Sequence, residues 1–118
     1  MIVSDRKKDK TCIFDIAGEI SGTTARNQHL NSYIKHRLEK DSITAIALNL
    51  EKVEAVDSYG LGVIIQLYKF TKSEQLGFVL FHANGDVSAM LNLSGLNEIT
   101  TIVDSEEDAL AHIASLDE

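Results

Sequence analysis

Residues 42–74 read SITAIALNLEKVEAVDSYGLGVIIQLYKFTKSE, and the fold turns on how this stretch divides. Its first part, SITAIALNL at 42–50, is nearly uncharged and rich in β-branched side chains, as in a strand buried on both faces of a parallel sheet. Its last part sets Leu61, Ile64, Ile65 and Tyr68 at helical spacing, which predicts a helix over 58–74 with its apolar face on that sheet. EKVEAV between them reads as a connecting loop. Strand, loop and helix form half of a βαβ unit, and the rest of the chain supplies the other halves.

Upstream, Ile2 and Val3 start a short strand, DRKKDK at 5–10 reads as a charged hairpin tip, and TCIFDIAG at 11–18 alternates as a strand that Gly18 ends. Cys12, Phe14 and Ile16 form its better buried face, so Cys12 is expected in the core. Leu30, Ile34 and Leu38 mark one face of a helix over 23–39, with Thr23 or Thr24 as its N-cap. Downstream, Gly77 closes the 58–74 helix and FVLF at 78–81 is a further buried strand. DVSAMLNL at 86–93 predicts a short helix capped by Asp86 or Asn84, with Val87, Met90, Leu91 and Leu93 apolar. ITTIV at 99–103 is the last strand. DSEEDALAHIASL then forms a helix with acids in its first turn and apolar Leu110, Ile113 and Leu116.

This alternation predicts an α/β fold: one domain over residues 1–118, built on a mixed, mostly parallel sheet of about five strands with four helices. The chain has 118 residues, 44% of them hydrophobic and 25% charged, which suits one self-sufficient domain. Its 18 acids against 11 Lys and Arg give a net charge of −7, which disfavours nucleic acid as a partner. With a single cysteine, no leader-like start and no apolar run of spanning length, the expected setting is the cytoplasm, without membrane insertion.

In an α/β sheet the functional loops gather beyond the carboxyl ends of the strands, where AVDSYGLGVI at 55–64 falls. GLGVII has Ile65 where a dinucleotide fingerprint needs its third glycine, and no Gly-Lys-Ser/Thr follows for a P-loop. A nucleophile elbow requires G-x-S-x-G, whereas Val56 precedes Asp57-Ser58. His29, His36, His82 and His112 are scattered, so no base is brought to Ser58. A receiver-type phospho-aspartate at Asp57 would require a metal-holding acidic pair, and Asp15 and Glu19 are too far apart for that. These absences leave no catalytic residue, metal site or cofactor to expect.

A simpler possibility is that Asp57 or Ser58 caps the helix. Two glycines in the first turn are costly for a cap alone, at roughly 0.5–1 kcal/mol each relative to alanine. Either another surface comes close to that bare backbone, or the helix packs tightly on its own sheet. A hydroxyl at a helix start is also well placed to carry a phosphate, since backbone N–H groups and the helix dipole stabilise the anion.

LNLEKVEAVDSYGLGVI at 48–64, AGEI at 17–20 and LNLSGLNEITTIVDSEEDAL at 91–110, in this order and spacing, resemble a STAS domain of the stand-alone bacterial anti-sigma-factor-antagonist type. The resemblance implies a non-enzymatic partner switch. Ser58 would be phosphorylated by a GHKL-type serine kinase that is also the anti-sigma factor, and a PPM-type serine phosphatase would remove the phosphate. The unphosphorylated form would bind the kinase and release its client. Asp57 would fix the loop, Gly60 and Gly62 would admit the partner's backbone, and Tyr59 would anchor the interface. The implied binding surface extends to Leu61 and, on the preceding strand end, to Glu19 and Ser21. Ser21 stands where the family often carries Asp. A constitutive subunit of a transport or signalling complex, docking through the same loop without phosphorylation, is the alternative.

Overall fold

The structure, a computed structural model, describes residues 1–21, 27–40 and 42–116, with side chains at 27–29 left aside. Its strands are β1 (Ile2–Lys8), β2 (Thr11–Ile20), β3 (Ala45–Val56), β4 (Gly77–Phe81) and β5 (Thr101–Val103). The helices are α1 (Asn27–Leu38), α2 (Ser58–Ser73), α3 (Gly85–Leu93), α4 (Leu96–Ile99) and α5 (Glu106–Ser115). The strands lie side by side in chain order, β1 antiparallel to β2 and every other pair parallel. This is the expected mixed, mostly parallel sheet, with one short helix more than foreseen.

Strand parity sorts the apolar side chains onto two faces. Phe14, Ile46, Leu48 and Leu80 meet Leu30 and Ile34 of α1, Ile64 and Leu67 of α2, and Val87 and Leu91 of α3 in the larger core. The alternate residues Ile13, Ala45, Ala47, Val79 and Phe81 meet Ala109 and Ile113 of α5 on the opposite face. The small side chains Ala45 and Ala47 let α5 lie close. Burial on both faces explains why Ile13 is as fully buried as Cys12 and Phe14, where one better buried face was expected.

Several boundaries differ from the sequence-based expectation. β1 runs through the supposed hairpin tip, because Asp5 and Arg6 are ladder residues paired with Phe14 and Ile13, and the turn falls at Asp9, whose φ is 54°. β2 continues past Gly18, which takes a φ of 97° at a register irregularity, and ends at Ile20. EKVEAV is not a loop: β3 carries on through it to Val56, paired with β2 up to Ile20↔Val56. Leu50, Val53 and Val56 are buried at a spacing of three, because the register shifts break the strand's alternation.

Gly77 opens β4 rather than closing α2, whose exit turn is made by Gln75 at φ 58°. Ile99 lies in α4, ahead of β5. Leu93 and Leu116 are 87% and 54% exposed, and Met90 is only partly buried. The N-cap placed at Thr23 or Thr24 lies outside the described residues.

Ion pairs and hydrogen bonds tie the edge strand β1 to both layers. On the larger face Asp5 accepts from Tyr33 Oη at 2.5 Å and from Arg37 Nε at 2.6 Å. On the other, Arg6 donates to both carboxylate oxygens of Asp15, at 2.7 and 2.9 Å, and to Glu106 at 2.7 Å. Asn49 donates to Asp15 at 2.8 Å, extending the row to β3. The bond from Tyr33 and the Arg37 guanidinium hold Asp5 below the usual carboxylate range, and the Tyr33 hydroxyl is pushed up to about 12. Arg6 likewise lowers Asp15, with help from Asn49, and lowers Glu106.

Candidate binding site at the start of helix α2

β3 delivers Asp57 directly to the helix start. Asp57 is the N-cap, with extended backbone (φ −91°, ψ −178°), and its Oδ1 accepts from Gly60 N at 2.8 Å. Its own N–H reaches Ile20 O at 3.4 Å, which joins the ends of β2 and β3. Leu61 N donates to Asp57 O at 2.9 Å as the first helical bond. Two of these bonds close the first turn of the helix, and the one to Ile20 O ties it to the sheet.

The residues expected to form a binding surface divide by exposure. Ser58 is exposed at the first helical position, Tyr59 is 56% exposed, and Glu19 is exposed on the end of β2. Leu61 is buried in the larger core, and Ser21 is only 6% exposed. The two glycines separate sharply. A Cβ on Gly60 would lie 1.9 Å from Ile20 O and 2.7 Å from Ile20 C, so the surface that comes close to this bare backbone is the chain's own β2. The expectation that Gly60 makes room for a partner is therefore corrected: contact with Ile20 is what requires a glycine there. Gly62 has no atom within 4 Å of where its Cβ would be.

Charge is distributed along the strand axis. Glu19, Glu51, Glu54 and Asp57 lie at the Ser58 end, with Lys52 among them. Lys7, Lys8, Lys10, Lys40, Lys69 and Lys72 lie towards the opposite end, on β1 and its turn and near the ends of α1 and α2, with Asp9, Glu39 and Glu74 among them. Among the described residues no group of three or more His, Cys, Asp or Glu is placed to hold a metal ion. Nor is any helix among them long and apolar enough to cross a membrane.

Sequence reasoning missed a contact just behind the helix start. Asn84, foreseen only as a possible cap of α3, also donates from Nδ2 to Val53 O at 2.6 Å. No local pattern announces a bond between residues so far apart in the chain. The charged row across β1, β2, β3 and α5 was missed for the same reason, and Glu106, expected only as an acid in the first turn of its helix, is held by Arg6.

The fold has known relatives. The STAS domain family model matches residues 3–109. The anti-sigma-B factor antagonist of Listeria monocytogenes is 31% identical over 108 residues, covering 88% of each chain. A crystal structure of a candidate anti-sigma factor antagonist from Thermotoga maritima superposes with a TM-score of 0.85 at 26% identity, covering 95% of this chain and 94% of that one. The anti-sigma factor antagonist SpoIIAA shares the fold at 17% identity. Its unphosphorylated form gives a TM-score of 0.79 over 97% of each chain, and the phosphorylated form from Bacillus gives 0.70 over 95% of this chain and 99% of that one.

Proposed function

The chain belongs to the STAS domain family, and on that premise we propose that it is a phospho-regulated partner switch acting through Ser58. The unphosphorylated form binds a GHKL-type serine kinase that doubles as an anti-sigma factor, and so releases the kinase's client. Phosphorylation of Ser58 prevents that binding, and a PPM-type serine phosphatase restores it. The observation that carries the proposal is Ser58, an exposed residue at the first position of α2, beside exposed Tyr59, on a helix start anchored by Asp57 and Gly60.

The physical consequence follows from that placement. A phosphate adds about −1.5 to −2 charges at pH 7. At the first turn of α2 the anion is stabilised by backbone N–H groups and the helix dipole, so the domain can accept it without refolding. A partner packed over Ser58 would have to desolvate that charge. Blocked docking with an unchanged fold is the expected output.

The test is phospho-site mapping after incubation with ATP and the GHKL-type kinase recovered with the wild-type chain, with affinities measured for two variants. Ser58→Ala should keep kinase binding and accept no phosphate, and Ser58→Asp should bind at least ten-fold more weakly. Equal affinity for both variants would favour the constitutive subunit instead.

A further inference from the structure

Residues 50–56 of β3 stand beyond β4, whose pairing with β3 ends at Asn49↔Phe81. β2 still pairs with this overhang on one side, and among the described residues no strand pairs with it on the other. Such an edge leaves backbone groups that must find other partners. Two side chains supply them. Asn49 Oδ1 accepts from Glu51 N at 3.1 Å, and Asn84 Nδ2 donates to Val53 O at 2.6 Å.

Asn84 uses both ends of its amide. Its Oδ1 accepts from Val87 N at 3.1 Å as the N-cap of α3, while its Nδ2 holds β3. One partner is an N–H and the other a carbonyl, so only one orientation of the amide satisfies both. The chain reaches this position by turning at His82, whose φ of 59° is a conformation that residues with a Cβ rarely adopt. Val53 and Val87, whose backbones the amide joins, are both fully buried. The bond therefore links α3 to a strand segment that leads, a few residues later, into Asp57 and Ser58.

We propose that Asn84 is a positioning residue for the Ser58 surface: its side-chain amide clamps the overhanging end of β3 to the start of α3, fixing how Asp57, Ser58 and Tyr59 are presented. The proposal rests on the partner-switch reading for what that surface does, but the clamp itself is independent of it. Aspartate caps a helix as well as asparagine does. It has no N–H to give, however, and would set a carboxylate against Val53 O. Asn84→Asp therefore separates the cap from the clamp.

Residue-resolved amide hydrogen exchange on the full chain is the first measurement. In Asn84→Asp, residues 52–57 should exchange roughly ten-fold faster, while Val87 and the amides after it keep their protection. Val79→Ala, a destabilising change on the α5 face, should not single out residues 52–57. Unchanged exchange at 52–57, or acceleration shared equally with α3, would overturn the clamp. The second measurement is affinity for the co-purified GHKL-type kinase, which Asn84→Asp should weaken several-fold and Val79→Ala should not. A loosened overhang with unaltered affinity would overturn the positioning role. If Ser58 is never phosphorylated, the partner-switch reading fails, yet the exchange comparison still decides the clamp.

Discussion

Gly60 and Gly62 stand two residues apart in one helix and should respond oppositely to the same substitution. In Gly60→Ala the added Cβ falls 1.9 Å from Ile20 O, whereas a carbon and a carbonyl oxygen in contact sit about 3.3 Å apart. Helix and strand would have to separate by roughly 1.4 Å, and the obstacle is backbone, which cannot rotate away. Overpacking of this kind costs about 1–3 kcal/mol. The bond from Asp57 N to Ile20 O, already long at 3.4 Å, would be lost with it. Losing that bond adds about 1 kcal/mol and alanine's better helix propensity returns up to about 1 kcal/mol, leaving a net loss of about 1–3 kcal/mol. Gly62→Ala meets nothing within 4 Å and keeps the propensity gain, so it should stabilise by about 0.5–1 kcal/mol. Urea unfolding followed by circular dichroism measures both. With a slope of about 1–3 kcal/mol per molar urea, the midpoint should fall by about 1 M for Gly60→Ala and rise slightly for Gly62→Ala. A Gly60→Ala protein within about 0.5 kcal/mol of wild type would refute the close approach on which this depends.

Other perturbations address the remaining contacts. Asp57→Ala removes the cap on Gly60 N and should cost about 1 kcal/mol in thermal or urea unfolding. Asp5, Asp15 and Glu106 titrate below their ordinary range when folded, so the unfolded chain takes up protons first as pH falls. Their contribution should be fully present above the ordinary carboxylate range and disappear as pH drops through the lowered values. Arg6→Gln should flatten that part of the stability–pH curve, as read by urea midpoints at a series of pH values. Tyr33 shifts the other way: its stabilising bond to Asp5 is present below the ordinary tyrosine range and should be lost as pH rises towards about 12. Tyr33→Phe should cost about 1 kcal/mol at neutral pH and remove that alkaline loss.

Much of the fold was readable because it rests on local patterns. SITAIALNL has the composition of a strand covered on both sides, and Leu61, Ile64 and Leu30, Ile34 have the helical period that meets it. What escaped notice depended on distant partners. EKVEAV looks like a loop because Val53 and Val56 recur every three residues, and only the irregular pairing with β2 makes that a strand. DRKKDK looks like a turn until Asp5 finds Tyr33 and Arg37, and Arg6 finds Asp15. At the site, a cap at Asp57 or Ser58 was expected from sequence position, and the hydrogen bond from Gly60 N assigns it to Asp57. Both explanations considered for the two glycines were open from sequence, and only the position of Ile20 O assigns Gly60 to the internal one. Asn84 was visible as a cap but not as a tie to Val53.

The strands of this sheet lie in the order in which they are translated. Each new strand pairs with the one made just before it, so none has to be threaded between two that are already joined. A chain emerging from the ribosome can add one strand and its helix at a time to a growing edge, which favours orderly docking over long-range search. The exception is α5, which follows β5 and, among the described residues, is the helix that covers Ile13, Ala47, Val79 and Phe81. Until residues 106–116 are released, a nascent domain with its sheet complete still presents one sticky apolar face, and that interval is when it is most exposed to aggregation and to chaperones.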